Sequence, residues 1–161
     1  MPSPVTQQKP VTQQPAAEQA TGGDELSLSA IPALPAALAP ARSALGDFLR
    51  AHAVPEELAA DAVLATYEAI ANIVEHAYPA GDGTFDLHAT YTRDVTLTVT
   101  ITDHGTWKTS GPDPASRRGR GLQLMRSCSD DAEIATTDHG TQVHLQWSCS
   151  RSATPDDEQA G

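Results

Sequence analysis

Little in this chain would cross-link it covalently or attract it to nucleic acid. It has two cysteines, Cys128 and Cys149, in 161 residues. They lack metal-ligand spacing and no secretory segment precedes them, so both are expected to be reduced and to take no part in a mechanism. Basic residues are scarce as well, with 10 Lys and Arg against 21 Asp and Glu, a formal net charge of -11. Nucleic-acid binders normally present a basic face, so direct contact with DNA or RNA is not expected. An acidic balance suits a magnesium nucleotide or a partner with a basic surface, and equally it only keeps a protein in solution. No apolar run approaches the length of a membrane span, so a soluble, cytoplasmic protein without membrane attachment is expected. Hydrophobic residues make up 39%, enough for one core and not two.

What the chain does contain is one strongly patterned stretch between two polar tails. Residues 1–24 are rich in Pro, Gln, Thr and Ala, and "PVTQQ" occurs twice, at Pro4–Gln8 and Pro10–Gln14. Such a composition buries too little apolar surface to offset its ordering entropy, which predicts a disordered tail. Residues 149–161 read the same way, leaving 25–148 as the folded domain. "ELSLSAI" alternates like a first strand. Leu38 to His52 has helical spacing, with a start blurred by Pro40. "VPEELAADAVLATYEAIANIVEHAYP" is the strongest helix. Pro55 suits its first position, Glu56 and Glu57 its first turn, and Leu58, Ala62, Ala65, Ala69, Ile73 and Ala77 its packed face.

Two alternating strands follow, with Phe85, Leu87, Ala89 and Tyr91 on one face of the first and Val95, Leu97, Val99 and Ile101 on one face of the second. A Gly- and Pro-containing loop without periodicity then runs to Gly121. Loops of that length in compact domains are either functional or disordered. A short helix over Leu122–Cys128 and a hairpin turning near Asp138–Gly140 complete the domain. The expected class is α+β: a two-layer α/β sandwich, with a mixed, mostly antiparallel sheet covered by helices on one face.

The long helix raises a chemical question. Glu68, Asn72 and His76 recur at steps of four, which places them along one edge of the cylinder. Asn offers a neutral oxygen to a hard cation such as Mg²⁺. Glu, one turn earlier, is placed to accept a proton from a hydroxyl or water attacking phosphorus. Alternatively, both side chains only bond to neighbouring backbone. Asp103 at a strand end, with Gly105 two positions on, suits a carboxylate accepting a hydrogen bond from an exocyclic amine such as adenine's. Asp and Gly are also ordinary turn residues. Gly119 and Gly121 flank Arg120 ahead of Leu122, where backbone N–H groups at a helix start favour phosphate. Gly140 and Thr141 are explained by a tight turn alone.

The ordered set is more specific than any one piece. "E-x-x-x-N-x-x-x-H-A-Y", "D-x-G" at a strand end, a long loop, "R-G-R-G-L-x-L-M" and a late "G-T" resemble the GHKL (Bergerat) ATPase family, nearest to its anti-sigma factor serine/threonine kinase branch. The resemblance implies ATP and Mg²⁺ as ligands, held between the helices and a lid at about 104–120. It implies Glu68 as general base and Asn72 as the magnesium ligand, with His76 near the nucleotide or lid. Asp103 with Gly105 would serve adenine, supported by Thr141, while Gly119, Arg120, Gly121 and Leu122 stand at the phosphate-cradling end of the lid. Where many members have a second glycine in D-x-G-x-G, this chain has Trp107, which packs on the base or a partner or else covers the core edge. Arg117 and Arg118 either neutralise phosphate charge or are solvated.

The implied activity is phosphorylation of an anti-sigma factor antagonist, with a sigma factor held and released by partner switching. Homodimerisation is implied by the family alone. A non-catalytic, nucleotide-dependent switch that sequesters a regulatory partner is the alternative. A detached histidine-kinase ATP domain ranks last, because no helical hairpin with a phospho-accepting histidine precedes the domain.

Overall fold

The computed structural model describes residues 19–22, 24–79, 81–106 and 117–149. The elements run β1 (Gln19–Gly22), β2 (Glu25–Pro32), α1 (Pro35–Ala51), α2 (Glu56–His76), β3 (Thr84–Thr92), β4 (Thr96–Asp103), α3 (Arg117–Cys128), β5 (Asp131–Thr137) and β6 (Gly140–Ser148). The strands form one six-stranded sheet in the order β1-β2-β3-β4-β6-β5. Every pairing among the described strands is antiparallel, in keeping with the mostly antiparallel sheet expected.

Two-residue alternation builds the core. Leu87, Ile101 and Val143 align across β3, β4 and β6, and Ala89, Val99 and Leu145 form the next row. All six are buried, whereas Thr98, Thr100 and Thr102 between them point to the opposite, half-buried polar face. Helices cover the apolar side. α2 contributes Ala62, Ala65, Ala69 and Ile73, all buried, and its small alanines let the helix lie close to the sheet. Ala41, Leu45, Phe48 and Leu49 of α1 join the same core. The result is the two-layer α/β sandwich, helices on one face.

Several boundaries differ from the sequence reading for identifiable reasons. The sheet reaches into the stretch expected to be tail, because Gln19–Gly22 pairs with Leu28–Glu25. At the other end, Cys149 is buried, its N–H donating to Val95 O at 2.8 Å, although the composition of 149–161 predicts a tail. Val95 itself is 53% exposed and lies in the turn, not in the inner row of β4. α1 begins at Pro35, whose fixed φ suits a first turn, and Pro40 is accommodated inside the helix. Pro55 occupies the cap position of α2, one residue before the first helical position expected for it.

Candidate functional site

The edge of α2 that carries Glu68, Asn72 and His76 is neither core nor open surface, since all three are half-buried. His76 Nε2 lies 3.4 Å from Glu75 Oε2. At Asn72 the helix meets α3. A Cβ added to Gly121 would lie 3.0 Å from Asn72 Nδ2 and 3.5 Å from Oδ1, so the glycine is what lets α3 lie flush against that carboxamide. Leu122 and Met125 anchor α3 to the core beyond it.

α3 starts at Arg117 and not at Leu122, which changes how its glycines are read. The Arg-Gly alternation has no apolar period, so the sequence hides this first turn. Only the first four amides of a helix lack an internal partner. Gly119 belongs to that group, whereas in a regular helix the amide of Gly121 bonds the carbonyl of residue 117. Gly119 therefore keeps the amide expected to face an anion, and a side chain at position 121 would crowd the Asn72 carboxamide. Arg120 is exposed in the same turn. The side chains of Arg117 and Arg118, Trp107, and the lid over 107–116 lie outside the described residues.

Asp103 closes β4 and is 1% exposed. Its Oδ1 accepts the Gly105 N–H at 3.0 Å, a local turn that fixes the carboxylate. Its sheet neighbours are Phe85 on β3 and Thr141 on β6. Thr141 is 2% exposed, and its hydroxyl donates to Thr136 Oγ1 at 3.4 Å. The glycines around Asp103 are there for close backbone approach. A Cβ on Gly105 would fall 2.2 Å from Ala77 O at the end of α2. One on Gly140, which has φ 141°, would fall 1.9 Å from Asp103 O. Gly140 is thus more than a turn residue: it lets β6 begin against the Asp103 backbone. A cavity of about 230 Å³ opens at this end of the sheet between Asp103, His104, Gly140 and Thr141.

Tyr78 closes the H-A-Y motif, but the sequence gives it no role. Its hydroxyl accepts the His104 N–H at 2.8 Å and donates to Thr84 O at 2.5 Å. The ring fills the space where a Cβ on Gly83 would stand, 2.2 Å away. Burial pushes the phenol above its ordinary pKa, with the Asp103 and Asp86 charges adding to the shift and the His104 and Thr84 backbone bonds opposing it. The available signal was an aromatic residue just past a helix end, followed by two glycines.

The fold therefore brings the α2 edge, the turn after β4, the start of β6 and the first turns of α3 to one end of the sandwich. Another cavity of about 350 Å³, between β2 and α1, is apolar and includes none of the candidate site residues.

Comparison with known proteins agrees with this arrangement. The family model described as histidine kinase-like ATPase domain matches residues 31–147. A crystal structure of the RsbU and RsbW domains of Rv1364c from Mycobacterium tuberculosis is similar at a TM-score of 0.62 and 22% identity, over 76% of this chain and 32% of that one. The blue-light activated histidine kinase of Erythrobacter litoralis EL346 is similar at 0.54 and 20%, over 74% of this chain and 42% of that one. This chain thus spans less than half of each of those molecules. No curated protein matches it. No helix among the described residues is long and apolar enough to cross a membrane. With the two-layer sandwich in place and a family match spanning β3, β4 and all three helices, the chain belongs to the histidine kinase-like ATPase domain family.

Proposed function

We propose that the protein binds Mg²⁺–ATP at this end of the sandwich and transfers the terminal phosphoryl group to a serine or threonine of a regulatory protein, an anti-sigma factor antagonist. The observation that carries the reading is the contact between Gly121 and Asn72. It joins the helix start suited to phosphate to the α2 edge that holds a carboxamide and, one turn away, a carboxylate. Family membership supports nucleotide binding, and the fold shared with the RsbW-containing structure supports the anti-sigma branch.

The residues fit the roles. Asp103, buried and fixed by Gly105, is an acceptor for the exocyclic amine of adenine, with Thr141 beside it. The Gly119 amide and Arg120 face the phosphates. Asn72 would hold the magnesium ion, a single neutral oxygen being enough for a cation that keeps phosphate and water as its other ligands. When bound, the ion neutralises charge that develops on the phosphoryl oxygens. Glu68 takes the proton of the acceptor hydroxyl as its oxygen bonds to phosphorus and ADP leaves. His76 borders the same edge and faces the nucleotide or lid.

Incubation of the protein with Mg²⁺–ATP and candidate antagonists, read by intact mass, tests the proposal. One added phosphate on the antagonist is expected, with a fall of roughly 10²- to 10⁴-fold in rate for Glu68→Gln at unchanged ATP affinity. Full transfer by that variant removes Glu68 from the role of base. ATP binding without any transfer would leave the sequestering switch as the function.

A further inference from the structure

The structure assigns Tyr78 a positioning role: its hydroxyl clamps the turn that carries Asp103 to the end of the helix that carries Glu68 and Asn72. The inference rests on the nucleotide-binding reading given above and adds to it the part that sets the distance between the two ends of the site.

The argument begins with backbone accounting. After Asp103 the chain leaves the sheet, so the His104 N–H has no strand partner and needs another acceptor. Tyr78 Oη supplies it at 2.8 Å, while its own proton goes to Thr84 O at the start of β3. One hydroxyl therefore ties three segments together: the exit of α2, the first residue of β3 and the residue after β4. Two glycines allow this. Gly83 leaves room for the ring, and Gly105 lets the turn reach Ala77 O, the carbonyl immediately before Tyr78. The clamp extends sideways. His104 Nε2 lies 3.4 Å from Asp86 Oδ2, and the other oxygen of Asp86 accepts the Ala30 N–H at 2.7 Å. Ala30 has φ 55° at the irregularity between Leu28 and Ile31 in β2, so the same carboxylate also holds a bend in the next strand.

The functional consequence follows from geometry. Asn72 stands five residues before Ala77, about 7.5 Å along the helix axis. The Gly105 backbone touches Ala77, and Asp103 accepts from Gly105. A base held at Asp103 and phosphates held at Asn72 are therefore registered to one another through the joint that Tyr78 closes. Removing the hydroxyl leaves the phosphate end as it is and frees the adenine end.

Tyr78→Phe tests this, because it keeps the ring against Gly83 and deletes only the two hydrogen bonds. Calorimetric titration with Mg²⁺–ATP and Mg²⁺–GTP is the measurement. The variant is expected to bind ATP roughly fivefold more weakly, the size of one net hydrogen bond. GTP binding should change little, so the preference for adenine narrows. Unchanged ATP affinity overturns the inference. An equal loss for both nucleotides also overturns it, since that marks general loosening of the fold. A wild-type protein with no preference for ATP over GTP would instead defeat the adenine reading on which the inference stands. Should the variant fail to fold, amide exchange in the wild type decides: slow exchange at His104 is expected, and exchange as fast as in an open turn overturns the clamp.

Discussion

At the scale of single residues, glycines separate space that is needed from space that is merely present. Gly105 cannot take a Cβ without meeting the Ala77 carbonyl at 2.2 Å, and a backbone atom cannot swing aside as a side-chain tip can. Gly105→Ala should therefore destabilise the protein by about 2–3 kcal/mol, at the upper end of overpacking costs, and show it as a lower urea midpoint. Gly46 is the contrary case. It sits inside α1, and a Cβ there meets nothing within 4 Å. Gly46→Ala should raise stability by about 1 kcal/mol, the helix-propensity difference between the two residues. If both substitutions destabilise equally in chemical unfolding, the close approach at Gly105 is not what that glycine serves. The sequence alone could not rank these two positions, because what matters is which backbone lies opposite. The same limit hid the reason for Gly140 and the space Gly121 leaves for Asn72. The order of Glu68, Asn72, Asp103 and the later glycines was, by contrast, fully visible along the chain.

At the scale of elements, legibility followed periodicity. β3, β4 and α2 carry long apolar alternations or stripes, and their inner rows are buried as read, apart from Val95 in the turn and Leu58, which is only partly buried. The sequence reads α3 too short because Arg117–Gly121 contributes no apolar residue, and it gives no sign of β1 because that strand is four residues long and only Thr21 of QATG favours a strand. Helix ends obey backbone rules that composition shows poorly. The end of α1 illustrates this: the Val54 N–H bonds Leu49 O at 3.0 Å and the Ala53 N–H bonds Arg50 O at 3.1 Å, the paired closure that usually carries glycine at the left-handed position. Here that position is Ala53, with φ 52°. Ala53→Gly should stabilise by about 1 kcal/mol, because it relieves the steric cost of a Cβ in that conformation while Val54 stays buried as the closing contact. Thermal unfolding checks it, and a lower melting temperature would show that the chain's added freedom in the unfolded state outweighs the relief.

At the scale of the whole molecule, ligand binding and folding are one linked equilibrium. A ligand that binds only the folded state adds RT ln(1 + [L]/Kd) to stability, about 2.7 kcal/mol at a hundredfold excess over Kd. Because the site joins α2, the β4 turn, β6 and α3, its occupation has to raise the melting temperature of the domain as a unit. At about 2–8 °C per kcal/mol for domains near this size, the shift is well within measurement. Magnesium and nucleotide contributions should separate. With ATP and excess EDTA, the phosphates lose the ion that Asn72 is proposed to help hold, so only a fraction of the shift should survive. Asn72→Ala should reproduce that smaller shift in the presence of magnesium and respond little to EDTA. Asp103→Asn should lower the ATP shift whether or not magnesium is present, because it alters the adenine end and leaves the metal end in place. An Asn72→Ala protein that keeps the full, EDTA-sensitive increment would place the ion elsewhere.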